Sequence, residues 1–267
     1  MRTMSTAVET APVGSLLREW RTRRRVSQLE LSSETGVSTR HLSFIETGRA
    51  RPSRDMLMRL SEHLDLPLRE RNSLLLAAGF APEYAQTPLS AESMRDLRLS
   101  LQALVDAHKP CPAMAVDHAW NLVLANDPAL GFVDGVPDEL MTEPINIIRL
   151  LMHPDGLRDR ISNFEEYSAH VLIRLARQER ATGDVAIREL IRECESYPGV
   201  GRPRGMTHAL APVLAIRMTA GGAALSFFTV VSTLGAPYDV TLDEIVIESF
   251  FPADAATAQA IGMQTVG

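Results

Sequence analysis

The stretch QLELSSETGVSTRHLSFIETG, residues 28–48, decides the fold of the first part of the chain. Leu29 and Leu31 sit in a helix that stops at Gly36, a residue that takes a positive φ without steric cost. Ser38 is a good N-cap for the next helix. Within it Leu42 and Ile45 point one way, and Thr39, Arg40 and Ser43 another, because residues three or four apart share a helical face. Ser32 puts a small side chain where the two helices must cross. Val37, Leu42 and Ile45 then anchor the second helix to a core and turn Thr39, Arg40 and Ser43 outward. Gly48 is a typical C-terminal stop.

Working outward, three more helices frame this pair. Leu16, Leu17 and Trp20 give an apolar face before it. Pro52-Ser53 opens a helix carrying Leu57, Leu60 and Leu64, and Pro67 opens another that Gly79 closes. Residues 14–80 therefore read as an all-α five-helix unit. Residues 1–13 hold one arginine and no apolar run, so they read as a flexible tail rather than a signal peptide. Residues 81–89, APEYAQTPL, carry two prolines and no period, and read as a linker.

From residue 90 to 267 the period changes repeatedly. Ser90 is placed to cap a helix with Met94, Leu97, Leu101 and Leu104 on one stripe. Residues 113–117 and 120–125 read as strands joined at His118-Ala119. Helices follow over 145–152, from Leu157 to about Arg180 with Leu157, Ile161 and Phe164 on its stripe, and over 184–194. Asp155 is placed to cap the second of these. Residues 197–208 read as loop. Residues 213–218 and 224–232 flank Gly221-Gly222, a strong hairpin signal, and 245–251 is a fifth strand. Asp254 caps a short last helix. This is an α+β domain, expected as an antiparallel sheet with helices gathered on one side.

Composition supports two domains with different partners. The 267 residues carry a net charge of −6, but residues 1–80 hold 13 arginines against 9 acids, a net +4, and the remainder is −10. Lys109 is the only lysine. Arginine's planar fork suits phosphate and guanine edges, although genome composition explains such a bias equally well. No apolar run is long enough for a membrane span. The only two cysteines, Cys111 and Cys194, make neither a disulfide framework nor a metal cluster and read as buried hydrophobes in a reducing cytoplasm. The chain has no P-loop, G-x-S-x-G or H-E-x-x-H, so no catalytic residue, metal ligand or cofactor is expected.

Residues 28–48 look like a helix-turn-helix, in which the N-terminal half of the second helix enters the DNA major groove. The whole of residues 14–79, with Glu46-Thr47-Gly48-Arg49 at the end of the pair, resembles the Cro/phage-repressor (Xre) type of DNA-binding domain. That resemblance implies that Gln28, first in the second helix, contacts phosphate, with Arg49 beside it. It implies that Ser38, Thr39, Arg40 and Ser43 lie against the duplex, the last three reading bases. Ser32 departs from the more usual alanine but is equally small.

Residues 90–255 resemble the ligand-binding domain of MmyB-like transcription regulators, which has a PAS-like fold. The text that carries this is ALVDAHKPCPAMAVDHAWNLVLAND (103–127), RLLMHPDGLRDRISN (149–163) and LDEIVIESFFPAD (242–254). HLSFIETGRARPS (41–53) and RERNSLLLAAG (69–79) in the first domain are also common in that group. The resemblance implies an apolar cavity and a fatty-acid-like ligand. The residues themselves put Trp120 and Asn121 at a hairpin tip, Trp120 as a flat wall. Arg149, His153 and Arg158 are placed to hold an acidic head group, or simply form a solvated helix face. The expectation is a cytoplasmic, homodimeric regulator that binds a double-stranded DNA operator and a small lipophilic ligand. The alternatives are a second domain that only dimerises or docks a partner, and an interaction protein with a vestigial helix-turn-helix.

Overall fold

The structure, a computed structural model, describes residues 12–201 and 213–263. Most of the expected tail and part of the expected loop 197–208 lie outside the described residues. The chain divides into two compact units between residues 86 and 87, with 238–240 belonging to the first.

The first unit contains α1 (Val13–Arg23), α2 (Gln28–Thr35), α3 (Thr39–Glu46), α4 (Arg54–His63) and α5 (Leu68–Ala77). Serines open three of them: Ser27, Ser38 and Ser53 each accept the backbone N–H three residues on. Glu30 closes a capping box back to Ser27. The apolar stripes meet as expected: Leu17, Leu31, Leu42, Ile45 and Leu60 are all fully buried in one cluster. At Gly14 a Cβ would stand 2.1 Å from the carbonyl oxygen of Ile45, so only glycine lets α1 approach the end of α3 this closely.

The second unit begins with α6 (Arg95–Asp106), followed by β1 (Ala113–Val116), β2 (Leu122–Ala125), α7 (Asp127–Leu130), α8 (Ile147–Met152), α9 (Phe164–Thr182) and α10 (Val185–Ser196). Then come β3 (Ile216–Ala220), β4 (Ala223–Thr233), α11 (Val240–Asp243, whose first residue counts with the first unit), β5 (Val246–Pro252) and α12 (Ala255–Ala260). The five strands form one antiparallel sheet in the order β2-β1-β5-β4-β3. Alternation along the central strands sends Val116, Phe227 and Phe250 to one face, where they join the residues of α8, α9 and α10. Ala113, Ala115 and Ile247 take the other face, with Leu101 and Val105 of α6. The helices are therefore on both faces, not one. The sheet is central, so each of its faces is apolar and each needs a cover.

Four local expectations are corrected. Ser90 caps nothing: the chain enters α6 through a 3-10 turn over Glu92–Met94, with no side-chain cap. The inner stripe of α6 ends on Val105, fully buried, while Leu104 is 45% exposed. The long helix starts at Phe164 rather than Leu157, because Arg158–Arg160 is a separate 3-10 turn, which Asp155 does not cap. Trp120 belongs to no strand: it sits at φ 67° in a turn. Asp117 makes that turn by accepting the N–H groups of Ala119 and Asn121, both at 2.9 Å.

The same turn presents His118 to carboxylates from two other loops. Its Nδ1 is 3.2 Å from Glu244 and its Nε2 3.6 Å from Asp184. The hydrogen bond to Glu244 raises its pKa; burial opposes this, and the charges of Glu244, Asp184 and Asp117 add to the rise. A raised native pKa gives stability that is complete below the unfolded value of 6.5 and is lost as pH climbs through the native one. The melting temperature of the wild type should therefore exceed that of His118→Gln most at pH 5–6. The gap should shrink steadily toward pH 9. A gap that is flat or widens with pH would contradict this ion-pair account.

Candidate nucleic-acid interface and apolar pocket

The turn between α2 and α3 is made by Gly36 at φ 68°, a left-handed conformation that other residues rarely adopt. Val37, Leu42 and Ile45 are buried behind it. Thr39 and Arg40 are exposed, and Ser43 is half-buried on the same side. The Arg40 guanidinium lies 5.3 Å from the centre of the Phe44 ring one turn on, which holds the long side chain along the helix. Ser38 is exposed and spends its hydroxyl on the cap to His41 N–H. Arg49 is exposed just beyond Gly48.

Beneath this surface lies an ion pair that sequence reading missed. Arg21 donates from Nε and Nη2 to the two carboxylate oxygens of Glu46, at 2.6 and 2.9 Å. Gln28 adds an amide N–H to the same carboxylate at 2.8 Å. Glu46 is 7% exposed. Burial pushes its carboxyl upward, but the hydrogen bonds from Arg21 and Gln28 and the nearby arginine charges prevail and hold it below the ordinary value. One carboxylate thus ties α1, α2 and α3 together. Gln28 is half-buried, and one of its two amide hydrogens is already committed.

In the second unit a cavity of about 100 Å³ lies between the sheet and α8. Eighteen residues line it and every one is apolar, among them Met114, Leu122, Leu150, Met218, Phe227 and Phe250. Leu130, Phe132, Val133, Met141 and Ile145 close one side, from the segment of short turns between β2 and α8. Arg160 ties that segment down, donating to the carbonyls of Phe132 at 2.8 Å and Asp134 at 2.5 Å.

None of the five residues read from sequence as ligand contacts lines this cavity. Arg149 makes a two-pronged ion pair with Glu193, at 2.6 and 2.8 Å, and Tyr197 donates its hydroxyl to the same carboxylate. The hydrogen bond with Glu193 raises the Arg149 pKa and lowers that of Glu193. The His153 ring meets Tyr197 edge-on at 5.1 Å. Arg158 lies 5.2 Å from the Phe164 ring centre. Asn121 is locked in the turn by Asp117 and Asn146. Trp120 is 5% exposed in the core, its indole N–H donating to Gln178 at 2.8 Å.

Over the Trp120 ring, 4.3 Å from its centre, lies the guanidinium of Arg174. Its Nη1 donates to Glu248 at 2.7 Å, and Glu248 is 2% exposed at the middle of β5. The two residues are 74 apart in sequence, and no local pattern could have joined them.

Among the described residues no helix is long and apolar enough to cross a membrane, and no cluster of His, Cys, Asp and Glu has a metal-binding arrangement. No curated protein matches the chain. A helix-turn-helix family model matches residues 17–71. The model of the MmyB-like transcription regulator ligand binding domain matches residues 97–262, more than half of the chain, and it falls on the unit that holds the apolar cavity. With a helix-turn-helix DNA-binding domain ahead of that ligand-binding domain, this chain belongs to the MmyB-like transcription regulators.

Proposed function

We propose that this regulator binds its operator as a cytoplasmic homodimer and responds to a small lipophilic ligand. The observation that carries the ligand class is the cavity wall, which offers eighteen apolar residues and no polar side chain. A sugar or nucleotide would bury hydroxyls there without partners, at about 1–3 kcal/mol each. The antiparallel five-stranded sheet with flanking helices supports the PAS-like reading of the domain. A cavity of 100 Å³ is smaller than the roughly 150 Å³ that accepts benzene, so a longer acyl chain must displace the segment tied by Arg160. That displacement is a physical route from binding to a changed conformation, provided the ligand prefers the displaced state. Melting the full chain with 1-octanol and medium-chain acids tests the class. At 100 times the dissociation constant the ligand should stabilise its domain by about 2.7 kcal/mol. No shift with any apolar compound would leave a dimerisation or docking scaffold.

On the DNA side, Thr39, Arg40 and Ser43 read bases, with Ser38 at the helix start against the duplex. Arg49 and Gln28 meet phosphates. Gln28 has one amide hydrogen left after serving Glu46, and that bond orients it. Arg40→Ala should relax choice at one base position by about 1–3 kcal/mol, whereas Arg49→Ala should weaken all sequences alike. Binding of a randomised operator library at fixed salt separates the two. An unchanged base preference in Arg40→Ala would remove Arg40 from the reading set.

A further inference from the structure

Two outer strands bound the five-stranded sheet, and each is shielded in part. On β3 the N–H of Arg217 donates to the side chain of Asn163 at 2.9 Å, and its carbonyl accepts from the N–H of Ser162 at 2.8 Å. On β2 the N–H of Leu122 donates to the carbonyl of Ile145 at 2.8 Å. A third stretch of edge lies inside the strand order. β3 pairs with Ala223–Phe227 only, whereas β4 runs on to Thr233 beside β5. Past Phe227 the side of β4 that faced β3 meets no strand among the described residues.

The direction of each backbone group there follows from the hairpin. Gly221 and Gly222, at φ 55° and 78°, make a two-residue turn, so Ala220 and Ala223 are its hydrogen-bonded closing pair. Hydrogen bonding alternates along an antiparallel strand. Ala223, Leu225 and Phe227 therefore turn their N–H and C=O groups to β3, and the even-numbered residues turn theirs to β5. The N–H of Ala253, just after β5, fixes the same phase by donating to the carbonyl of Ser226 at 2.8 Å. Thr229, Val231 and Thr233 then point their N–H and C=O groups outward, with no backbone partner among the described residues.

Strand edges are normally guarded by charge, proline or a bulge, because an unguarded edge pairs with another strand. This one has no such guard. No charged side chain occurs from Met218 to Tyr238, no proline lies within β4, and its register with β5 is unbroken. Val230 and Val231, on opposite faces, are 43% and 49% exposed.

We propose that this edge joins two copies of the chain, β4 against the partner's β4, antiparallel about a two-fold axis at Val231. This rests on the homodimer reading above and gives that dimer its interface. The edge is self-complementary. Thr229 faces the partner's Thr233, Val231 faces the partner's Val231, and about six hydrogen bonds satisfy every outward group. Val–Val and Thr–Thr are cross-strand pairs that stabilise a sheet. Charge selects a second copy over a foreign strand. The chain after residue 80 carries a net −10, so two copies repel except where uncharged surfaces meet, and the run that contains β4 is such a surface. An edge without charge also gives a foreign peptide nothing to be recognised by.

The test uses the full chain without DNA. Sedimentation velocity should show the wild type as a dimer. Val231→Pro removes an outward N–H and keeps the bonds of β4 to β5, so it should fold with the circular dichroism of the wild type. Losing the central hydrogen bonds should raise the dimer dissociation constant at least about tenfold. Val231→Lys sets like charges across the axis and should do the same. Cys111 and Cys194 are both buried, so an introduced cysteine reports the register. Val231→Cys should form a covalent dimer with copper-phenanthroline, because the paired Cα atoms stand about 5.5 Å apart. Leu99→Cys, at an exposed position on α6, should not. A monomeric wild type overturns the homodimer reading and this interface together. A dimer that neither Val231→Pro nor Val231→Lys weakens keeps the homodimer but overturns the interface, and leaves the edge to another strand of this chain or of a different protein. If the variants fail to fold, the cross-link decides: Val231→Cys dimers no more abundant than those of Leu99→Cys overturn the proposal.

Discussion

Replacing Glu46 by alanine is expected to remove most of the stability of the helix-turn-helix unit, about 3–5 kcal/mol. The change strips a buried carboxylate from Arg21, whose side chain is 13% exposed, and from the Gln28 amide. The loss comes less from the attraction forgone than from the guanidinium left in the core with no counter-charge and only the Val26 carbonyl as acceptor. A domain of this size has only about 0.05–0.15 kcal/mol of stability per residue, so such a loss approaches the whole. The double change Arg21→Leu/Glu46→Leu removes both charges and should cost clearly less than Glu46→Ala alone. The depressed carboxyl of Glu46 adds a pH signature: its contribution is full above the unfolded value of 4.5 and is lost as pH falls through the native one. Calorimetry of the full chain follows the unit's own transition. A Glu46→Ala transition within about 1 kcal/mol of wild type would show that the three helices are held by their leucines alone.

The helices around this pair were legible because their signals are local. Ser38, Ser53 and Gly36 act on backbone groups a few residues away. The leucine stripes repeat within one helix. Arg21 and Glu46 are 25 residues apart, and neither differs in sequence from a solvated surface charge. Nothing short of the fold tells that they face each other.

The second domain shows the same boundary at a finer grain. Its strands and apolar walls followed from runs such as Ala113–Val116 and the Gly221-Gly222 turn. Leu157 and Ile161 continued the period of α9 backward, yet both are buried from a separate turn, since burial alone sets that spacing as readily as a helix does. The head-group residues were chosen by type. Residue type and neighbourhood drew attention to those arginines and that histidine, but which arginines are already paired depends on where the glutamates fall. Glu193 sits four residues before Tyr197 and takes Arg149; Glu248, on a distant strand, takes only one corner of Arg174.

Phe227→Ala is the change expected to separate cavity from core. Phe227 is fully buried on β4, lines the cavity, and meets Phe132 and Phe250 edge-to-face, with ring centres 5.9 and 6.4 Å away. Removing the ring forfeits its burial and both aromatic contacts, about 3–5 kcal/mol in the ligand-free protein. The space it vacates adds to the 100 Å³ already present, and its neighbours on β3 and β5 are fixed by the sheet and cannot fully collapse. An apolar probe should therefore recover more stability in the variant than in the wild type. Leu17→Ala, an equally buried site in the first unit, supplies the control: comparable loss, with no recovery from the probe. Melts of the three full-length proteins with and without saturating 1-octanol give the comparison. If Phe227→Ala gains no more from the probe than Leu17→Ala does, the space beside Phe227 is a packing defect and the ligand is held elsewhere. If it gains more, the ring is the gate that keeps the resting cavity small, and ligand entry must displace Phe132 and the segment that Arg160 holds over it.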